Sequence, residues 1–206
     1  MTDFKRNAIV IGVTGGIACG KSEVGRILGE MGFTVCDADC VAHDLMGKGT
    51  PVFQKMIEHF GERIIGADGE IARPILGKIV FEDSDQRDVL NRLVHPAVRE
   101  NLANWIGKMR SEGKPSAVLL PLLFESGMQN LDWDAVICVS SPESDVFQRL
   151  EKRGLTPEEA EKRVHSQMPL AEKEGRADLV VPNIGTLREL ELATRETVNA
   201  IVERVL

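Results

Sequence analysis

The chain has 206 residues, with 25 Lys and Arg against 32 Asp and Glu for a formal net charge of −7, and is 43% hydrophobic and 28% charged. That length suits one compact domain, or one domain carrying a sizeable insertion, and the ordinary composition excludes wholesale disorder, collagen-like repetition and coiled coil. The longest apolar runs, such as residues 117–124, fall short of the roughly 18 to 20 residues that span a bilayer, and an acidic chain lacks the basic footprint of duplex binding, so neither membrane nor nucleic acid is an expected partner.

The N-terminus, Met1 to Asn7, is polar and leads straight into an apolar run rather than into a leader with a cleavage site, which points to the cytoplasm. Ala8 to Val13 is β-branched and predicts a strand. A Gly-rich turn follows, and Lys21 to Met31 carries helical spacing through Val24, Ile27, Leu28 and Met31. Phe33 to Cys36 predicts a second strand, ending in Asp37-Ala38-Asp39. About eighty residues then read mostly as helix, over 51–60, 73–81, 84–94 and 96–109, with 61–69 as a break; so long a crossover predicts a helical insertion beside the sheet. Further strands are expected at 117–122, 135–140 and 179–181. Strands alternating with helices imply a parallel sheet. Residues 142–178 are dense in charge and read as helices broken at Gly154 and Pro169, with Thr156, Pro157 and Glu159 forming a helix-start signature. The tail from Thr186 to Leu206 reads as one amphipathic helix. Cys19, Cys36, Cys40 and Cys138 have no paired spacing and are expected as reduced thiols.

Gly15-Gly16-Ile17-Ala18-Cys19-Gly20-Lys21-Ser22 fits G-x-x-x-x-G-K-[ST] in full, after a predicted strand and opening a predicted helix. Glycines let the backbone curl so that successive N–H groups point inward, and the helix N-terminus adds positive potential at the same point. Lys21 would reach the β- and γ-phosphates of a nucleotide, and the Ser22 hydroxyl would ligate Mg²⁺. A plain tight turn is the alternative. A GTPase would need a guanine-reading N-K-x-D, and no Asn here is followed by Lys. Asp44-Leu45-Met46-Gly47 sits in a helix-like stretch rather than at the end of an apolar strand, and so does not serve as D-x-x-G. Asp37 and Asp39 end a strand, which in an open α/β sheet puts them in the crevice at the carboxyl edge. A carboxylate there orients or deprotonates a hydroxyl, or holds Mg²⁺ through water; capping of the following helix by Asp39 is the other reading. Cys36, Cys40 and His43 lack a fourth ligand at a sensible spacing and predict buried thiols rather than zinc.

Gly15-Gly-Ile-x-x-Gly-Lys-Ser22, Asp37-Ala-Asp39 with Ala42-His43, Arg73-x-x-Leu76-Gly77 with Val80-Phe81, His95-Pro96, Pro121-Leu-Leu-Phe-Glu125, then Gln167, Ala177-Asp178 and Asn183 follow one another along nearly the whole chain. Together they resemble dephospho-CoA kinase. The resemblance implies an α/β phosphate-loop kinase of three layers around a five-stranded parallel sheet. The nucleotide-binding core would take residues 8–45 and 115–206, the helical substrate-binding insertion residues 46–112, and the lid residues 142–178. It implies transfer of the γ-phosphoryl of ATP, with Mg²⁺, to the 3′-hydroxyl of dephospho-CoA. A kinase of another small alcohol or nucleotide is the alternative, and a monomer or small homo-oligomer the expected state.

By the same resemblance Thr14 lies at the loop entrance, Asp39 is the catalytic carboxylate and Arg149 the lid arginine that neutralises the transferring phosphoryl. Arg153, four residues on, would share its helix face; solvated surface is the other reading of both arginines. Gly15 to Ser22 with Glu23 would hold ATP. Asp39, His43, Arg73, His95 and Leu122 would meet the acceptor, although His95-Pro96 also suits a joint between two helices and Arg73 a brace in the insertion. Three positions depart from the family pattern: Val146 stands where Gln is frequent, Pro182 replaces Asp before Asn183, and Glu23 replaces Thr. A net charge of −7 also requires that any positive potential for phosphates be local.

Overall fold

Residues 8–205 are described by a computed structural model, so Met1 to Asn7 and Leu206 lie outside the described residues. Five parallel strands make the sheet: β1 (Val10–Gly15), β2 (Thr34–Asp37), β3 (Ser116–Leu119), β4 (Ala135–Ser140) and β5 (Leu179–Pro182), in the order β2-β3-β1-β4-β5. The central strand β1 pairs Gly12 with Val118 on one side and with Val136 on the other. Its residues are buried throughout, which is why the run reads as continuously apolar instead of alternating. Helices α1 (Lys21–Glu30) and α9 (Leu187–Val205) pack on each other, and Ile27, Leu28, Val198 and Ile201 join the strand residues Ile11, Val13 and Ile137 in one core. No helix among the described residues is long and apolar enough to cross a membrane.

The chain divides into two compact units, residues 8–37 with 105–205, and Ala38–Asn104. The first holds the sheet, α1, α9 and three charged helices, α6 (Glu143–Lys152), α7 (Pro157–His165) and α8 (Leu170–Arg176). Breaks fall at Gly154 and Pro169, as the sequence predicts. Thr156 and Glu159 form a reciprocal capping box at the start of α7. The second unit holds α2 (Ala38–Leu45), α3 (Pro51–Phe60), α4 (Arg73–Glu82) and residues 84–104 of α5 (Ser84–Ser111). Thr50 accepts the Phe53 N–H at 3.1 Å and Pro51 opens α3, so that helix begins where propensity and capping agree. Residues 61–69 form a short turn closed by a bridge between Ile65 and Ile71.

Four expectations change. Cys36 is only half-buried and Cys40 is exposed, so neither is the buried thiol expected. Strand β3 ends at Leu119 rather than at residue 122, because Pro121 has no N–H for the ladder and its carbonyl is taken by side chains instead. The helices expected on either side of His95-Pro96 are one helix. An interior proline costs about 3 kcal/mol, whereas each fully buried aliphatic side chain is worth roughly 1.5–3 kcal/mol, and Val94, Val98, Leu102, Ile106 and Met109 form one buried stripe that continues through the proline. His95 therefore joins no two helices. Asp39, finally, is the second residue of α2, inside its first turn rather than ahead of the helix, where its charge suits the helix dipole.

Candidate active site

Strand β1 delivers the chain into the glycine loop, and the loop is held where only glycine fits. Gly15 has φ of 145°, and a Cβ there would lie 2.3 Å from the Val139 carbonyl oxygen on β4. Gly20 has φ of 104°, and a Cβ would lie 2.5 Å from Asn183 Nδ2. Ala18 takes a left-handed φ of 57°, the one non-glycine residue to do so among the described residues. Strain of this kind persists only where the surroundings enforce it.

Those surroundings are a hydrogen-bonded brace built from the ends of β4 and β5. Asn183 Nδ2 donates to the Cys19 carbonyl at 2.9 Å, and Ser141 Oγ donates to the Asn183 carbonyl at 2.9 Å. Arg149, on α6, donates through Nη1 to the Ala18 carbonyl at 3.0 Å and to Ser141 Oγ at 2.9 Å, with Asp145 3.9 Å away. Ser141 and Asn183 are buried, so each of these bonds satisfies a group that water does not reach. Lys21 opens α1 and turns its ammonium onto the carbonyls of Gly15 at 3.0 Å and Gly16 at 2.7 Å. Two cations thus converge on a loop at a helix N-terminus, which answers the demand for local positive potential in an acidic chain. Ser22 follows Lys21 with an exposed side chain, and Glu23 lies in the first turn, where its charge suits the helix dipole.

Beside the loop is a cavity of about 430 Å³, walled by Gly16, Ile17, Cys19, Val146, Gln167 and Leu170 among others. It is mostly apolar. Gln167 Oε1 is buried in its wall and accepts no hydrogen bond. Val146 packs into this wall, so the departure at that position changes a polar lining to an apolar one. Burial, partly offset by Lys21, pushes the Cys19 thiol up, and burial followed by the Glu174 carboxylate pushes Cys138 up to about 12. Both thiols stay protonated.

Thr14 is fully buried at the loop entrance, its hydroxyl donating to the Pro121 carbonyl at 3.3 Å. Leu122 is half-buried in the turn that follows, where its carbonyl accepts the Ser126 N–H and hydroxyl. Arg153 stands one residue beyond α6, exposed, where its backbone N–H donates to the Leu150 carbonyl at 3.0 Å and its side chain makes no hydrogen bond or ion pair among the described residues. Of Arg149 and Arg153 only Arg149 reaches the loop. Pro182 ends β5 and Asn183 takes the bracing role, so the missing carboxylate at 182 leaves the brace intact.

Asp39, His43, Arg73 and His95 belong to the second unit. Within it, His43 and Arg73 line one cavity of about 350 Å³ together with Asp44, Glu70, Ile71 and Leu76. His95 lies apart from that cavity on α5, half-buried, and burial with the nearby Arg99 holds its imidazole below the usual range. Sequence reasoning assigned no role to Ser141, Glu125 or Lys173. Ser141 was within reach, since it follows the carboxyl end of a parallel strand, where ligands of open α/β sheets gather.

The dephospho-CoA kinase family profile matches residues 9–189. A dephospho-CoA kinase from Carboxydothermus hydrogenoformans is 43% identical over 197 residues, 95% of this chain and 93% of that protein. One from Bacillus cereus is 41% identical over 182 residues, covering 88% and 91% of the two chains. Among solved structures, TT1252 from Thermus thermophilus superposes with a TM-score of 0.76 at 32% identity, over 95% of this chain and 98% of that one. The dephospho-CoA kinase from Campylobacter jejuni superposes with a TM-score of 0.70 at 27% identity, over 96% and 98%.

Proposed function

This chain belongs to the dephospho-CoA kinase family, and from that premise we propose that it transfers the γ-phosphoryl group of ATP to the ribose 3′-hydroxyl of dephospho-CoA, giving coenzyme A and ADP. The observation that carries the reading is the braced glycine loop, on which the Lys21 ammonium and the Arg149 guanidinium converge. Such a site suits a chain of phosphates: backbone N–H groups and a helix N-terminus bind the oxygens, and two cations offset charge as the phosphoryl group moves.

In this reading Gly15 to Glu23 hold ATP. Lys21 exchanges its loop carbonyls for the β- and γ-phosphate oxygens. Arg149 turns from Ala18 toward the transferring group, while Arg153 approaches the nucleotide only if its helix end moves. Thr14 anchors the loop entrance. Asp39 accepts the hydrogen bond of the attacking 3′-hydroxyl and so orients it, and His43, Arg73, His95 and Leu122 contribute to the acceptor's site. The pairing of His43 with Arg73 in one cavity supports that assignment for those two.

Ser22 fits Mg²⁺, because its exposed hydroxyl beside Lys21 has no hydrogen bond among the described residues and is the hard oxygen donor that this ion prefers. Bound there, Mg²⁺ would supply positive charge against the phosphate oxygens. Residues 8–45 and 115–206 serve as the nucleotide core, 46–112 as the acceptor-binding insertion and 142–178 as a lid that excludes water, so that phosphate passes to the alcohol. The protein works in the cytoplasm as a monomer or small homo-oligomer, without nucleic acid or membrane.

ADP release measured with ATP and a panel of acceptors tests this. It is expected to rise above the acceptor-free rate with dephospho-CoA and not with other small alcohols or nucleotides. A rate that dephospho-CoA leaves unchanged, or a better acceptor in the panel, would contradict it.

A further inference from the structure

Lys173, on α8, is the one charged residue in the buried set of the described residues, at 0% exposure. An ammonium withdrawn from water is unfavourable unless it is paired and hydrogen-bonded, and here it is both. Its Nζ donates to the Pro121 carbonyl at 2.7 Å and lies 2.8 Å from Glu125 Oε1. Each acceptor has a second donor. The Pro121 carbonyl also receives the Thr14 hydroxyl at 3.3 Å, and Glu125 Oε1 also receives the Met168 N–H at 3.0 Å. Two apolar side chains of similar shape would fill the same space without the cost of desolvating charge, so filling space does not account for the pair. What an ammonium adds is a fixed point shared by three segments: the end of β1 at Thr14, the turn from Pro121 to Glu125, and the stretch from Met168 to Leu170 that walls the cavity beside Gly16 and Ile17.

We infer that Lys173 is a positioning residue for phosphoryl transfer, acting through Pro121 and Glu125 to hold the turn bearing Leu122 and the cavity wall in register with the loop entrance. The inference rests on the proposed kinase reading. The loop itself is braced from elsewhere, by Asn183 on Cys19 and by Arg149 on Ala18, so nucleotide binding does not depend on Lys173. The role is therefore separable: transfer to the acceptor is sensitive to it and ATP affinity is not.

The variant that tests this is Lys173→Met/Glu125→Gln, which removes both charges together and leaves position 125 able to accept the Met168 N–H. Melting temperature, ATP dissociation constant, and kcat and KM for dephospho-CoA are measured for it, for Lys173→Arg and for the unmodified enzyme. A folded double variant with unchanged ATP affinity is expected to lose about 10- to 100-fold in kcat, the scale of a misplacement near 1 Å. Lys173→Arg, which keeps a cation and donor in place, is expected to recover most of that turnover. Unmodified turnover in the double variant would overturn the inference. So would failure to fold, a loss of ATP affinity in step with kcat, or a Lys173→Arg enzyme no better than the double variant, since each marks a merely structural residue. If the unmodified enzyme does not phosphorylate dephospho-CoA, the functional reading itself fails and takes this role with it; an active enzyme indifferent to the substitutions fails the inference alone.

Discussion

Gly20→Ala perturbs the loop at the point where two constraints meet. The added methyl must adopt φ of 104°, which costs an L-residue roughly 1–2 kcal/mol, taking the left-handed penalty as the guide. It also arrives 2.5 Å from Asn183 Nδ2, so the Asn183 side chain must leave. That movement forfeits the bond to the buried Cys19 carbonyl, a further cost of about 1–3 kcal/mol, for a total of about 2–5 kcal/mol. For a chain of this size each kcal/mol lowers the melting temperature by about 2–4 °C, which makes a fall of about 4–20 °C.

Asn183→Ala loses the bond alone, about 1–3 kcal/mol. In the double variant there is no Asn183 amide to strike, so the total stays near that of Gly20→Ala instead of reaching the sum of the two. Denaturant unfolding of the four proteins gives the coupling, with the double expected to be less damaging than additivity by about 1–3 kcal/mol. Additive costs would refute the argument that Asn183 is what makes glycine necessary here. ATP affinity should fall for both single variants, because both release the Cys19 carbonyl from its brace.

Three other outcomes follow from the same residues. Asp39→Asn keeps the size of the side chain and removes its charge, so kcat should fall by about 10²–10⁴-fold with ATP affinity retained; near-normal turnover would take Asp39 out of the reaction. His95 is held below its ordinary pKa of 6.5 by burial and then by Arg99, so folding favours the neutral imidazole. Its contribution to stability is complete above the unfolded value and is lost as pH falls through it, since the unfolded chain then binds the proton more readily. Unfolding midpoints measured from about pH 7.5 to about pH 5 should decline less steeply in His95→Gln, and an identical slope would refute the assignment. Of the four thiols, the exposed Cys40 should react first with a maleimide, while Cys19 and Cys138, buried and held protonated, should react only on unfolding. Labelling of Cys19 as fast as Cys40 would show that the loop opens in the native state.

The loop was legible in the sequence because its requirements are local: a buried strand, glycines at 15 and 20, and a helix beginning at Lys21 all fall within one short window. The helix start at Thr156 was legible for the same reason, since the cap and its partner lie three residues apart. The brace was not. Arg149 bonds a carbonyl 131 residues away and Asn183 one 164 residues away, and no periodicity encodes such a partner. Lys173 sits in a run of charge that reads as solvated surface, and its burial depends on Glu125, in a different part of the chain. Pro96 misled because its local penalty is visible in the sequence, whereas the buried stripe from Val94 to Met109 that outweighs it is a property of packing. Leu120, Pro121 and Leu122 continue an apolar run, yet after the Leu120 N–H, which still donates to the Val13 carbonyl, the ladder stops because Pro121 has no N–H and side chains claim its carbonyl.

Phosphorus NMR of the product formed from ATP and dephospho-CoA shows which oxygen receives the phosphoryl group. ADP is expected together with a new phosphomonoester on the 3′-oxygen of the ribose, in equal amounts. Orthophosphate in place of that ester, or an ester on any other oxygen, would contradict the proposed transfer.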